Sequence, residues 1–211
     1  MQKKIESLAD NASLFRATDL NVLDLILKDR FKSQFETGTS HGSLSHSGRA
    51  GAEEAYFGYG ASSPDAIKHD RENRPIYGYC SDNENGVQTG DGKHPPPNAA
   101  SSYGRVTVKF KDELKNRATF CFTDSLGASS SVACVPMNHP HFTAFSMYSD
   151  PLESVTRLDS FGSYVEVQYH KQVKHTDIES IHLSAGNFGG LDYSGAYESV
   201  NQANDIARKH E

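Results

Sequence analysis

Polar and apolar residues alternate strictly along the segment 163–170, SYVEVQYH. A period of two predicts a β-strand with one face in the core, so Val165, Val167 and Tyr169 are expected to be buried. The opposite face then carries Tyr164, Glu166, Gln168 and His170. This pattern places a carboxylate and an amide side by side, and its simplest interpretation is a solvated strand face.

Four further segments are predicted strands: 74–80, 105–110, 118–122 and 178–183. Pro75 lacks a backbone donor, which places it at the start or the edge of its strand. The segment KDELKN separates two of these strands as a polar turn or a single helical turn. We expect the strand at 178–183 to pair with the strand at 164–170 through a turn at 173–177.

Helical periodicity dominates the first 60 residues. Thr18 or Asp19 can cap a helix that runs through LNVLDLILKDRFKSQF and ends at Gly38. Its apolar stripe consists of Leu20, Leu23, Leu27 and Phe31. A second helix is predicted at 49–57, after a loop rich in Gly, Ser and His, and a short helix is predicted among the last 20 residues.

The 211 residues are interpreted as a single α+β domain, because 36% hydrophobic content supports one sizeable core. A helical N-terminal part occupies 1–60, and a β-rich core occupies 74–185. Between the first two strands of that core, the polar segment 81–102 contains three consecutive prolines and is expected to be a surface loop.

Charge and composition argue against several classes of partner. The net charge is −6 and no basic cluster is present, so we expect no nucleic-acid partner. We expect neither a membrane span nor a Sec signal peptide, since no apolar run is long enough. The three cysteines have no disulfide or zinc spacing and are expected to be buried, reduced thiols. The ten histidines also lack metal-binding spacing, so no metal site is predicted.

Three polar side chains lie on or just after predicted strands, in the order Arg74, Ser125, Glu166. A guanidinium at position 74 can bind a phosphate through two donors, although a surface arginine is the simpler interpretation. Ser125 lies in TDSLG and not in GxSxG, which disfavours a serine hydrolase and leaves a simple turn as the alternative. A small sheet could bring the three residues together.

This order resembles the Arg–Ser–Glu triad of the mono-ADP-ribosyltransferase fold. Longer phrases between residues 31 and 183 are similar to a bacterial branch that includes the CteC-type ubiquitin threonine ADP-ribosyltransferases. These phrases are FKSQFETGTS, RPIYGY, YGRVTVKFKDELKNRATFCFTDSL and YVEVQYHKQVKHTDIESIHL. The resemblance implies an α+β fold with split mixed or antiparallel β-sheets around an NAD cleft, and with an N-terminal helical segment.

The resemblance also implies an activity: transfer of ADP-ribose from NAD to a protein acceptor, without a metal. A threonine of ubiquitin is the candidate acceptor, and its modification would block host ubiquitination. Such a protein is a monomeric bacterial effector or toxin that is secreted and acts in the host cytoplasm. Two alternatives remain open, namely a catalytically degenerate binding module and an NAD glycohydrolase.

The resemblance implies a role for individual residues. The catalytic set is Glu166, Arg74 and Ser125, and the NAD-binding set is Arg74, Tyr77, Asp124, Ser125 and Gln168. Arg49 is the alternative to Arg74 as the arginine that contacts NAD. Thr119 and Thr123 are alternatives to Ser125.

One departure from the family pattern bears on the acceptor. Tyr164 stands two residues before Glu166, where an arginine-modifying enzyme needs a second carboxylate. Arginine is therefore a poor candidate acceptor, and a hydroxyl acceptor such as threonine remains open. The loop at 148–162 precedes the glutamate strand, and by the same resemblance it is expected to contact the acceptor protein.

Overall fold

The computed structural model describes residues 6, 9–39, 45–61, 63–81, 103–104, 106–121, 125, 134–138, 165–183 and 193–210. Within these residues the chain is α+β and contains a seven-stranded antiparallel sheet. The strands are β1 Ser13–Thr18, β2 Ile76–Ser81, β3 Val106–Phe110, β4 Ala118–Cys121, β5 Val135–Pro136, β6 Glu166–Tyr169 and β7 Ile178–Leu183. The helices are α1 Leu20–Lys28, α2 Gln34–Thr37, α3 His46–Phe57, α4 Pro64–Asp70 and α5 Tyr193–His210, with short 3-10 helices at Asp112–Arg117 and His175–Asp177.

The strands follow the order β5-β4-β6-β2-β1-β3-β7 across the sheet. All five predicted strands are confirmed, and the segment KDELKN forms the predicted helical turn, as the 3-10 helix Asp112–Arg117. Two expectations are not met. The described strands are hydrogen-bonded into one sheet and not into two split sheets, and β1 and β5 were not anticipated.

Strand β1 is an interior strand of the sheet, between β2 and β3. The predicted helical N-terminal part, 1–60, was wrong in omitting it. Leu14 and Phe15 are consecutive, yet both have 0% exposure, because the strand is covered on both faces. A strand buried on both faces has no period-two pattern, which is the physical reason that its sequence did not reveal it.

The predicted pairing of β6 with β7 is wrong, because β7 pairs with β3 at the far edge of the sheet. Directly after β6 the backbone of Lys171 adopts a left-handed conformation, with φ 63°, which turns the chain out of the strand. The guanidinium of Arg117 then donates to the carbonyls of His170 and Gln172 and to the carboxylate of Asp177. These contacts carry the connection along the end of the sheet, so that a tight hairpin does not form.

The first predicted helix is two helices. It begins after Asp19 and ends at Gly38 (φ 71°) as expected, but α1 stops at Lys28 and α2 starts only at Gln34. Between them the backbone N–H of Phe31 donates to the carbonyl of Val173, at 2.9 Å, which a continuous helix would not allow. The helix predicted at 49–57 is confirmed as α3, and the C-terminal helix is confirmed as α5, although its 18 residues exceed the short helix that was expected. Within the described residues, no helix is long and apolar enough to cross a membrane.

The two faces of the sheet differ in character. One face carries the main apolar core, to which α1 contributes Leu20, Leu23 and Ile26 and α5 contributes Ile206. On the other face, the register aligns Thr119 of β4 and Tyr77 of β2 with Gln168 of β6. Residues directly opposite each other on neighbouring strands point to the same side. This second face is therefore polar at its centre, and α3 packs over it.

Candidate functional site

Glu166 lies on the polar face of β6 and is only 4% exposed. The solvated strand face that the alternation suggested is therefore wrong, because α3 and Ser125 cover it. Three donors converge on Glu166 Oε1: the backbone N–H of Ser125 at 3.2 Å, the Ser125 hydroxyl, and Gln168 Nε2 at 2.7 Å. Because a buried carboxylate is costly unless hydrogen-bonded, this convergence explains how the charge is accommodated.

Gln168 is fully buried and connects Glu166 to the next polar groups on the sheet. Its Oε1 accepts from the hydroxyl of Thr119, at 2.8 Å, and its Nε2 also contacts Cys121 Sγ, at 3.0 Å. Thr119 Oγ1 lies 2.8 Å from His170 Nε2. Burial lowers the pKa of His170 to about 4, so the imidazole is neutral at pH 7.

The side chain of Arg74 packs against α3 and is completely buried. Its Nη1 donates to Glu53 Oε2 at 2.9 Å, and its Nη2 donates to the carbonyl of Gly60. The guanidinium carbon lies 4.2 Å from the centre of the Phe35 ring and 5.6 Å from that of Tyr59. These contacts give Arg74 a structural role in joining α2, α3 and the start of β2.

Glu53 of α3 is a central residue that the sequence reasoning missed. Burial raises the pKa of this carboxyl, against the opposing effect of hydrogen bonds from Tyr77 and Arg74. Tyr77 Oη donates to Glu53 Oε1 at 2.8 Å, and burial together with the adjacent carboxylate raises the Tyr77 pKa well above its ordinary value. The sequence did contain an indication of its burial. Glu53 lies three residues after Ala50, a spacing that places both on the buried face of α3, where apolar residues are the rule.

Arg49, the alternative arginine, also belongs to α3 and is 8% exposed. Its guanidinium carbon lies 4.8 Å from the centre of the Tyr77 ring, in a cation–π arrangement. Tyr77 in turn lies opposite Gln168 in the β2–β6 register. Arg49 is thus next to the polar face that carries Glu166, whereas the contacts of Arg74 are with Glu53, Gly60 and two aromatic rings.

The structure therefore brings together Glu166, Ser125 and Gln168, with Tyr77 aligned beside them. Of the alternatives to Ser125, Thr119 contacts Gln168 and His170 and does not replace the Ser125 hydroxyl at Glu166. Asp124, Thr123, Tyr164 and the loop at 148–162 lie outside the described residues.

All three cysteines are free and buried, as predicted. No group of three potential metal ligands occurs in the portion of the chain that the structure describes.

Comparison of the chain with protein-family models and with curated proteins finds no match.

Proposed function

We propose that the protein is a mono-ADP-ribosyltransferase, which transfers ADP-ribose from NAD to a protein acceptor. The observation that supports this proposal most is the convergence of Ser125 and Gln168 on one oxygen of the Glu166 carboxylate. The two residues come from distant parts of the chain and hold a single carboxylate in a defined orientation. Together with the sequence resemblance, this favours Glu166 as the group that acts on the NAD ribose.

In the proposed reaction, the bond between nicotinamide and ribose breaks, and nicotinamide leaves with the bonding electron pair. The anionic Glu166 stabilises the positive charge that develops on the ribose, and an acceptor hydroxyl then forms the new bond and releases its proton. Fixed electrostatic groups of this kind are worth about 3–4 kcal/mol in a transition state. With Glu166 4% exposed, NAD reaches the carboxylate only if it displaces side chains that cover it.

We assign contact with NAD to Arg49 and a structural role to Arg74. The Arg74 guanidinium is enclosed by Glu53, Gly60 and two aromatic rings, so its use for a phosphate would break a buried ion pair. Arg49 lies against the Tyr77 ring, beside the polar face of the sheet. Tyr77, whose hydroxyl is fixed by Glu53, supplies an oriented aromatic edge for the same ligand.

The acceptor assignment depends on the sequence resemblance alone. A threonine of ubiquitin remains the proposed acceptor, and blocked ubiquitination in the host cytoplasm remains the proposed consequence. The replacement of the second carboxylate by Tyr164 favours a hydroxyl over an arginine.

A second candidate is a degenerate transferase-like module that engages a partner without turning over NAD. The low exposure of Glu166 favours this alternative, because the carboxylate is not presented to the ribose of NAD. The two candidates predict different results in one assay.

The test incubates the protein with NAD labelled in the adenosine part, with and without ubiquitin, and measures nicotinamide release and labelled protein. The variants are Glu166→Gln and, as a matched control, Glu179→Gln on β7, whose carboxylate is partly exposed and paired with Lys109. Glu166→Gln should lower nicotinamide release by roughly 10²–10³-fold, whereas the control should leave it unchanged.

Equal activity in wild type and Glu166→Gln would refute the role of Glu166. Nicotinamide release without labelled protein would indicate a glycohydrolase. If calorimetry detects NAD binding and no nicotinamide is released, the protein is a binding module. If neither NAD binding nor nicotinamide release is found, the transferase and the glycohydrolase both fail.

A further inference from the structure

A continuous chain of four hydrogen bonds leads from the surface of the protein to Glu166. Tyr59 Oη lies 3.0 Å from His170 Nδ1, and His170 Nε2 lies 2.8 Å from Thr119 Oγ1. Thr119 donates to Gln168 Oε1 at 2.8 Å, and Gln168 Nε2 donates to Glu166 Oε1 at 2.7 Å. Exposure decreases along this path, from the half-buried Tyr59 to the fully buried Gln168.

The chemistry of the two inner groups fixes the direction of the three inner bonds, from His170 to Glu166. An ionised carboxylate only accepts, so the NH2 group of Gln168 must face Glu166 and the amide oxygen must face Thr119. Since an amide oxygen also only accepts, the Thr119 hydroxyl has to donate its proton to Gln168. The oxygen of Thr119 is then available to accept from His170 Nε2–H.

The same reasoning selects the tautomer of His170. With its proton on Nε2, the neutral ring presents the Nδ1 lone pair to Tyr59 Oη, at 3.0 Å. The single hydroxyl proton of Tyr59 has two acceptors within reach, this Nδ1 and the carbonyl of Asn73 at 2.7 Å. The three bonds from His170 inward therefore point toward Glu166, and each has one donor and one acceptor.

We propose that Thr119 and His170 are positioning residues that orient the Gln168 amide and thereby the carboxylate of Glu166. The proposal rests on the proposed function for its catalytic consequence, but the hydrogen-bond chain can be tested without it. If the Thr119 hydroxyl is removed, the amide oxygen of Gln168 loses this donor inside a fully buried site. The amide is then held only through its NH2 group, by Glu166 and Cys121, and the carboxylate has a less rigid support.

Two substitutions at one position separate this role from simple packing. Thr119→Val keeps the shape of the side chain and favours a strand but removes the hydroxyl, whereas Thr119→Ser keeps the hydroxyl. We expect Thr119→Val to lower kcat for nicotinamide release by about 10- to 100-fold, with KM for NAD within about twofold of wild type. Thr119→Ser should retain most of the activity. Urea unfolding of both variants shows whether they remain folded.

The second measurement is independent of activity. Nitrogen chemical shifts of the His170 ring, observed by NMR in the whole protein, identify the tautomer. We expect the Nε2–H form in wild type and in Thr119→Ser, and a shift toward the Nδ1–H form in Thr119→Val, where the ring nitrogen has lost its acceptor. The side-chain NH2 signals of Gln168 should move in Thr119→Val and not in Thr119→Ser.

The outcomes distinguish the proposal from the function on which it builds. An Nδ1–H tautomer in wild type overturns the direction of the chain, and wild-type kcat in a folded Thr119→Val protein overturns the positioning role. A protein without any activity refutes the proposed function. In that case unchanged Gln168 signals in Thr119→Val overturn the orientation of the amide, and changed signals support it.

Discussion

Acidification should destabilise the protein through His170 in a defined pH window. Burial lowers the pKa of this histidine to about 4, from its ordinary value of 6.5. The unfolded chain therefore binds the proton more tightly than the folded one. Stability from the neutral ring is fully present above about pH 6.5 and is lost as the pH falls toward 4. Each pH unit of difference between the folded and unfolded pKa corresponds to 1.36 kcal/mol, so the neutral ring contributes about 3 kcal/mol to the free energy of unfolding. About 2.5 kcal/mol of this contribution is lost by pH 4.5.

The contacts of the ring indicate that this value is an upper limit. Both ring nitrogens lie near oxygens that can accept a hydrogen bond, Tyr59 Oη and Thr119 Oγ1. Once protonated, the imidazolium can donate to both, with the Tyr59 hydroxyl turned to the Asn73 carbonyl. The free-energy cost of protonating His170 in the folded protein then comes from desolvation alone and not from a lost hydrogen bond.

Other groups titrate in or near the same window, so a single acid titration would not identify His170. The pKa of His182 is also lowered, mainly by burial, and that of Glu53 is raised, which has the opposite effect on stability as the pH falls. Asp24, whose pKa is lowered to about 2 chiefly by its hydrogen bond with Lys28, loses its contribution only below the window.

The measurement is urea unfolding at several values between about pH 7.5 and 4.5, on wild type, His170→Gln and His182→Gln. Glutamine at position 170 keeps a donor and an acceptor but does not titrate. Wild type should lose about 2–3 kcal/mol more than His170→Gln across this range, while the partly buried His182 should account for less. Parallel pH dependence in wild type and His170→Gln, to within about 0.5 kcal/mol, would refute the reasoning.

Three further predictions concern buried groups. Arg74→Met should lower the free energy of unfolding by about 3–5 kcal/mol, because it leaves the Glu53 carboxylate uncompensated. Adding Glu53→Leu should restore much of this loss, and an additive double variant would contradict the pairing. Gly78→Ala should cost about 3 kcal/mol or more, since a Cβ there would lie 2.2 Å from the Phe15 carbonyl oxygen. Its control is Gly51→Ala at an exposed position of α3, which should be neutral or stabilising by about 1 kcal/mol, because no heavy atom lies within 4 Å of the added Cβ. All three buried thiols should react with a thiol reagent far faster in urea than in the native protein, where burial also raises the Cys121 pKa. Rapid labelling of the native protein would contradict their burial.

The local pattern of polar and apolar residues predicted an element correctly where only one side of that element faced the main core. The alternating strand β6 was predicted because Val165 and Val167 enter that core and polar residues separate them. The start of α1 and the αL glycine at position 38 were also local signals. In contrast, β1 was missed because Leu14 and Phe15 are both buried, which removes the alternation.

Strand order depends on contacts that no local pattern encodes. The segment 178–183 was correctly predicted as a strand, but the nearest predicted strand in sequence was the wrong partner for it. The decisive interactions come from Arg117, which binds the connection after β6 over a separation of up to 60 residues. A basic residue before a strand gives no indication that it will hold a distant loop.

The candidate site illustrates the same limit for side chains. The order of Ser125 and Glu166 along predicted strands anticipated that they would meet, and they do. Arg74 was expected beside them because it also precedes a strand. Its position is decided by Glu53 on α3, and the sequence did not indicate which acidic residue would be buried with it.

The burial of the polar sheet face also constrains how a ligand could reach Glu166. A polar group under α3 must be paired, which is why the Glu166 oxygen already accepts from Ser125 and Gln168. A ribose hydroxyl that approached this oxygen would be the same kind of donor as the Ser125 hydroxyl. Such a ligand can therefore take the place of Ser125 without leaving the carboxylate unpaired, whereas Gln168 continues to hold it from the sheet. On the proposed function, the exchange of one hydroxyl for another is what would make a 4% exposed carboxylate usable for NAD.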